Sequence, residues 1–224
     1  MTLEADDSSC GREGGRPESE VERHRTRRFF NLVAPAFHVI DRSLLPEYRR
    51  ALAALDLEPS LSVLDVATGT GTLAAAFAER GHRVAGIDFA ERLLRRARRR
   101  LPQADLRLMD LADLPQLPDN AFDVIALAYV LHGMPPQMRR FALCQAHRLA
   151  RRHVLVFDYS GPGPWYVRLI EWIEGPHYPS FVARSMPELA AEAGLFVQHE
   201  ESTCGGACWL LTHGDESSPS ILNS

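Results

Sequence analysis

Apolar and polar positions change their period several times along the 224 residues of the chain. Between residues 21 and 57, Phe29, Phe30, Val33, Phe37, Ile40 and Leu44 recur near helical spacing, and Pro46 can open a second helix through Leu55. After Pro59 the pattern alternates. Short apolar runs at 61–66, 82–87, 106–109, 122–129 and 153–157 predict strands, and residues 72–80, 90–101 and 136–150 predict helices between them. The helix over 90–101 places Leu93, Leu94, Ala97 and Leu101 on one face. Apart from Asp123, the run over 122–129 is apolar, as suits a strand buried on both faces. Repeated β-α units imply a parallel sheet with helices on both sides. The tail breaks the rhythm with a helix over 187–193, a strand over 195–201, a tight turn at Gly205-Gly206 and a strand over 207–212. The pattern predicts an α/β fold: a mostly parallel seven-stranded sheet with a C-terminal antiparallel hairpin and helices on both faces. Residues 1–20 are expected to be a disordered tail, 21–57 a helical cap, 58–214 the main domain with a lid-like insertion at 161–181, and 215–224 a flexible tail.

Composition narrows the chemistry. Hydrophobic residues make up 46%, which supports a sizeable core. No apolar run approaches the roughly 20 residues that a membrane-spanning helix needs. The first 17 residues are polar and acidic, unlike a signal peptide, so a cytoplasmic location is expected. The four cysteines are scattered, consistent with a reducing compartment. A net charge of -4 provides no basic field for nucleic acid. All 25 basic side chains counted as Lys or Arg are arginine. That excludes Schiff-base lysines, Walker lysines and the Tyr-x-x-x-Lys pair of short-chain reductases. Arg95, Arg96, Arg98, Arg99 and Arg100 read as a solvated helix face. Cys204 and Cys208 flank the Gly-Gly turn without partners at metal spacing, so they read as inert strand residues and no metal is expected.

The chemistry concentrates at residues 63–72, Val-Leu-Asp-Val-Ala-Thr-Gly-Thr-Gly-Thr, where a strand enters a glycine turn and a helix follows. Gly69 and Gly71 permit a sharp turn and a close backbone approach to a ligand. Alone, such a turn equally fits a tight β-α connection or a dinucleotide site. Three acids sharpen the reading. Asp65 lies at the end of the first strand, where its carboxylate can accept from a cationic amine. Asp88 closes the second strand about 20 residues after the loop, at the ribose-binding position of Rossmann-type sites, and Asp110 closes the third. Each alone is also a good capping or turn residue.

Residues 65–73, with Gly86-Ile87-Asp88-Phe89-Ala90, resemble the first two motifs of class I S-adenosylmethionine methyltransferases. Within that superfamily the chain is similar to the ubiquinone/menaquinone C-methyltransferases, which share the Asp-Val-Ala-Thr-Gly-Thr-Gly run. Residues 110–115 and 117–124 resemble that family's next segment, and the likeness covers roughly 51–157. It implies a Rossmann-like class I methyltransferase fold with S-adenosyl-L-methionine as cofactor. Asp65, Ala67, Thr68, Gly69 and Gly71 would then cradle its methionine part, Asp88 its ribose, and Phe89, Asp110 and Leu111 its adenine. Tyr129 would approach the sulfonium. Two departures bear on the acceptor. Phe30-Asn31 and Phe37-His38 stand where the family commonly carries Tyr-Asp pairs, and residues 150–153 replace its Pro-Gly-Gly turn.

Methyl transfer needs positioning, exclusion of water and, for a phenol or activated carbon, a base. His132 follows the fourth strand and reads either as a base or substrate contact or as a structural loop histidine. His38 and Tyr129 are the other catalytic candidates, His38 equally fitting a helix surface. Asp158, at the end of the fifth strand, either lines the crevice or closes a turn. Trp165, Trp172, His177 and Tyr178 lie in the insertion, as an aromatic wall for an apolar or aromatic acceptor or as core packing. The expected partner is a small-molecule acceptor, quinol-, phenol- or lipid-like. The Phe-rich N-terminal segment is suited either to closing over the site or to pairing two copies into a homodimer. Two rivals stand beside the methyltransferase: an NAD(P)-dependent oxidoreductase, which lacks a third glycine at Leu73 or Ala74, and a non-catalytic cofactor-binding relative.

Overall fold

The computed structural model describes residues 37–161 and 177–214, with side chains from Asp41 onward. The tail at 1–20, the cap as far as residue 36, the side chain of His38, Trp165, Trp172 and the tail at 215–224 lie outside the described residues. Strands β1 (Ser62–Val66), β2 (Arg83–Asp88), β3 (Asp105–Leu108), β4 (Phe122–Ala128), β5 (Ala150–Asp158), β6 (Leu195–Ser202) and β7 (Ala207–His213) form one sheet in the order β3-β2-β1-β4-β5-β7-β6. The first five pair in parallel, and β7 runs antiparallel between β5 and β6. The order reverses between β1 and β4, which opens a crevice beyond the carboxyl ends of those strands.

Alternation along the strands divides the core into two layers. Val63, Val124, Ala126, Leu155 and Phe157 face helices α1 (Phe37–Ala54) and α2 (Thr72–Glu79), through Tyr48, Leu52, Leu73 and Phe77. Leu64, Val66, Ile125, Leu127, Val154 and Val156 face the other way, onto Leu143 and Leu149 of α4 (Pro136–Leu149). Helix α3 (Glu91–Arg100) packs Leu94 and Ala97 against Leu106. Arg95, Arg98 and Arg99 are exposed, as the solvated-face reading expects, whereas Arg96 is half-buried and Arg100 turns back onto Asp41 and Thr72.

Five features differ from the sequence reading. Pro46 does not open a second helix but sits inside the 18-residue α1. An internal proline costs about 3 kcal/mol. Burying Tyr48 and Leu52 further along the same helix recovers roughly 1.5–3 kcal/mol each, so packing wins. Strand β5 starts at Ala150, with a register shift opposite Phe122 that admits the extra residues. The insertion contains a short helix, α5 (Tyr178–Val182), leading to α6 (Met186–Ala191). A 3-10 turn at Leu111–Gln116 follows β3. Cys204 lies exposed in the turn before β7 rather than in a strand, while Cys208 is buried in β7. No helix among the described residues is long and apolar enough to cross a membrane.

Candidate active site

The loop after β1 is built by left-handed backbone at three positions, Ala67 (φ 57°), Gly69 (φ 56°) and Gly71 (φ 74°). The N–H of Thr68 donates to the Ile87 carbonyl (2.9 Å), and the N–H of Gly71 donates back to the Thr68 carbonyl (2.8 Å). The two glycines serve different ends. A Cβ at Gly69 would meet nothing within 4 Å, so the loop presents open space there. At Gly71 it would stand 3.0 Å from the Ala97 Cβ, so this glycine lets α2 start against α3.

Two buried carboxylates flank the loop. Asp65 accepts from the Thr68 hydroxyl (2.6 Å) and the Ala74 N–H (3.2 Å), and burial pushes its pKa up to about 7. Asp88 accepts from the Gly69 N–H (2.8 Å) on one oxygen and the Ala90 N–H (2.7 Å) on the other. Burial raises it to about 6. Ionising either group is costly until a cation or further donors arrive, a state typical of sites that wait for a ligand. Asp110, expected at the adenine, caps the 3-10 turn: it accepts from the Ala112 N–H (3.0 Å), and Asp113 accepts from the Asp110 N–H (3.3 Å). Phe89 and Leu111 are half-buried beside these acids.

Helix α1 covers the same crevice. Tyr48 packs edge-on against Phe157 with ring centroids 4.8 Å apart. Burial, then the nearby charge-bearing groups Tyr129, Asp65, Glu47 and Asp158, raise the Tyr48 phenol well above its usual range. Tyr129 follows β4 with φ 49°, a strained value for a tyrosine. Burial and then Glu47 push its phenol up as well. It is neutral at physiological pH and suited to contact rather than to proton abstraction. Glu47, nearly buried, accepts from the Cys204 N–H of the β6-β7 turn.

A second cluster lies beyond β4 and β5. Asp158 has no exposed surface, and its oxygens accept from the N–H groups of Leu131 (3.0 Å), His132 (3.3 Å) and Tyr159 (2.9 Å). His132 Nδ1 stands 2.7 Å from the same carboxylate. The Asp158 carboxylate is thus turned to the His132 ring and to backbone N–H groups. The His132 ring lies against Tyr159 (4.9 Å between centroids), Tyr178 (6.3 Å) and Phe181 (6.5 Å). Tyr159 in turn meets Tyr129 at 5.4 Å. Tyr178 packs on Tyr159 at 5.3 Å, and its hydroxyl donates to the Gly161 carbonyl (3.1 Å). His177 takes part through its carbonyl, which accepts from Arg139 (2.6 Å).

The structure thus brings together Asp65, Ala67, Thr68, Gly69, Gly71 and Asp88 around the loop, and Tyr129, His132, Asp158 and Tyr178 across the neighbouring strand ends. Sequence reasoning missed Arg139, which is almost wholly buried. It donates to the Leu131 carbonyl (2.9 Å) and to the Ser180 hydroxyl (2.9 Å), and stacks over Phe181 at 5.2 Å. Burial lowers its pKa against the opposing pull of Asp158. It also missed Asp41, Glu47 and Tyr48 on α1. No group of three metal-ligating side chains is found among the described residues.

Comparison with known proteins agrees with this geometry. Residues 63–153 match the family model of the methyltransferase domain. The demethylmenaquinone methyltransferase of Renibacterium salmoninarum is 29% identical over 170 residues, covering 72% of this chain and 67% of that protein. The corresponding enzyme of Listeria welshimeri is 28% identical over 135 residues, covering 54% of this chain and 56% of its own. The chain thus spans between about half and two thirds of the curated relatives it matches. Among solved structures, an O-methyltransferase from neocarzinostatin biosynthesis, bound to S-adenosyl-L-homocysteine and 1,4-dihydroxy-2-naphthoic acid, superimposes with a TM-score of 0.64 at 21% identity. The match covers 82% of this chain and 58% of that one, and shows a shared fold.

Proposed function

We propose that this chain, whose residues 63–153 match a methyltransferase domain, uses S-adenosylmethionine to methylate a small aromatic or apolar acceptor carrying an acidic hydroxyl. One observation carries the reading. A loop between two buried, hard-to-ionise carboxylates follows β1, and at the ends of the neighbouring β4 and β5 a histidine is held by a carboxylate among tyrosines. The loop fits the cofactor: Gly69 offers open space, and Asp65 and Asp88 gain most from a ligand that brings positive charge or hydroxyl donors. When bound, S-adenosylmethionine supplies a methyl carbon on a sulfonium, and the carbon-sulfur pair leaves with the sulfur as a neutral thioether.

The chain's own residues do the rest. Asp65 would face the methionine part, and Asp88, which holds Gly69 in place, would accept from the ribose hydroxyls. Asp158 accepts a hydrogen bond from the Nδ1–H of His132, which fixes the tautomer with a basic Nε2. His132 accepts the acceptor's hydroxyl proton as that oxygen, or the ring carbon it activates, forms the new bond. Tyr129, Tyr159 and Tyr178 offer flat apolar surface and exclude water. The names of the curated relatives and the naphthoic acid held by the solved neighbour support a hydroquinone- or naphthol-like acceptor.

The test is transfer of isotope-labelled methyl to a panel of hydroquinones, naphthols and hydroxylated lipids. The expected result is a labelled hydroxyarene product, with His132→Asn lowering kcat by about 10²–10⁴-fold and leaving S-adenosylhomocysteine affinity within about twofold. Label appearing only in lipids lacking an aromatic ring, or an unaffected His132→Asn, would contradict the acceptor class or the base.

Cofactor affinity should also depend on pH. The carboxyl pKa values are raised, so protons compete with a ligand that needs the ionised forms. Affinity should be complete only well above pH 7 and should fall as pH drops through about 7 for Asp65 and about 6 for Asp88. Asp88 alone weakens binding about tenfold between pH 7 and pH 5. Titration of the protein with S-adenosylhomocysteine in buffers across that range checks it, and a flat profile would contradict it.

A further inference from the structure

The most heavily bonded group of helix α1 lies at the glycine loop. Asp41 is 7% exposed, yet one of its oxygens accepts from the hydroxyls of both Thr70 (2.5 Å) and Thr72 (2.7 Å). Those hydroxyls are 3.0 Å apart and flank Gly71. The other Asp41 oxygen accepts from Arg100 (3.1 Å), at the last residue of α3, which also donates to the Thr72 hydroxyl. Four segments meet in this network: α1, both sides of the Gly71 turn, and the end of α3.

Docking α1 does not need such a group. Tyr48 and Leu52 already bury apolar surface against Leu73 and Phe77, and the exposed Arg49–Glu79 pair (2.7 and 2.6 Å) also joins α1 to α2. A buried carboxylate is costly unless its donors are fixed, so it specifies geometry more than it adds stability. Here the fixed geometry is that of the loop backbone. Thr70 lies between the two glycines, the part of the loop with the widest choice of backbone angles. Asp41 also sits beside the start of α2, where the helix macrodipole favours negative charge.

We propose that Asp41 is a positioning residue for the cofactor: by holding the Thr70 and Thr72 hydroxyls it presets the loop for binding and couples the seating of α1 to occupancy of the site. This rests on the assignment of the loop to S-adenosylmethionine. The residue is expected to act on cofactor affinity, through loop preorganisation, and not on the chemical step.

The experiment measures S-adenosylhomocysteine binding by calorimetry, with thermal melting and, at saturating cofactor, kcat. Wild type and Arg49→Ala should bind alike, because Arg49 joins the same helices without touching the loop. Asp41→Asn should weaken binding about tenfold, the scale of one lost charge-assisted hydrogen bond, with kcat within about twofold. Thr70→Val should match that loss, Thr70→Ser should restore near wild-type affinity, and the Asp41→Asn/Thr70→Val pair should be no worse than either alone. Equal affinity in Asp41→Asn and wild type, a fall in kcat with affinity unchanged, or additive losses would overturn the proposal. If Asp41→Asn does not fold, the contrast between Thr70→Val and Thr70→Ser decides it alone. A folded wild type that binds no S-adenosylhomocysteine would overturn the reading of the site itself, and this inference with it.

Discussion

Asp158→Ala is expected to lower the unfolding free energy by about 3–5 kcal/mol and to abolish measurable methyl transfer. The carboxylate has no exposed surface and accepts from three backbone N–H groups and the His132 ring. Alanine leaves those donors without their acceptor, at about 1–3 kcal/mol for each buried group that water cannot reach. It also strips the nearby buried Arg139 of an opposing charge. The losses overlap, so the total stays below their sum. Function suffers separately, because His132 loses the partner that fixes its tautomer and ring. Asp158→Asn keeps the shape but can satisfy only part of the donor set, so it should lie between alanine and wild type. Urea unfolding followed by far-UV circular dichroism measures the effect. A loss below about 1 kcal/mol would show that the cluster relaxes or hydrates readily, against its burial.

Asp88→Ala is expected to weaken S-adenosylhomocysteine binding by at least about 100-fold. Two losses combine. If Asp88 holds the ribose as proposed, the ribose hydroxyls would lose a charged acceptor, each such bond being worth roughly 1.5–3 kcal/mol. The loop loses its tie as well, since the Gly69 N–H and the Ala90 N–H both end on this carboxylate. Asp88→Asn retains an acceptor oxygen and should lose less. Calorimetric titration separates the variants, with melting curves showing which of them remain folded. Affinity within tenfold of wild type in a folded Asp88→Ala would move the ribose elsewhere.

Legibility in the sequence followed how local each signal was. The alternation of strands and helices was readable because β1, β4 and β5 carry side chains to two apolar layers and leave few polar positions. The glycine loop and Asp88 were readable because a left-handed turn and a strand-end carboxylate both leave marks within a few residues. Asp110 was half readable: the spacing to Asp113 is that of a capping pair, and that is how it is used. Arg139 was not readable, because buried Arg139 and exposed Arg140 sit side by side on the same helix in the same chemical guise. Asp41 was equally silent, since its threonine partners lie 29 and 31 residues away. Asp158 offered crevice or turn, and burial at the end of β5 made it the anchor of His132. Pro46 misled because proline's local preference was overridden by the apolar stripe that continues past it.

The crevice is expected to take the S-adenosyl cofactor. The direct measurement is calorimetric titration of the folded, cofactor-stripped protein with S-adenosylmethionine and S-adenosylhomocysteine, beside NAD(H) and NADP(H). Saturable, roughly micromolar binding of both sulfur nucleotides is expected, and none of the nicotinamides. Binding of a nicotinamide in their place, or of neither class by folded protein, would contradict it.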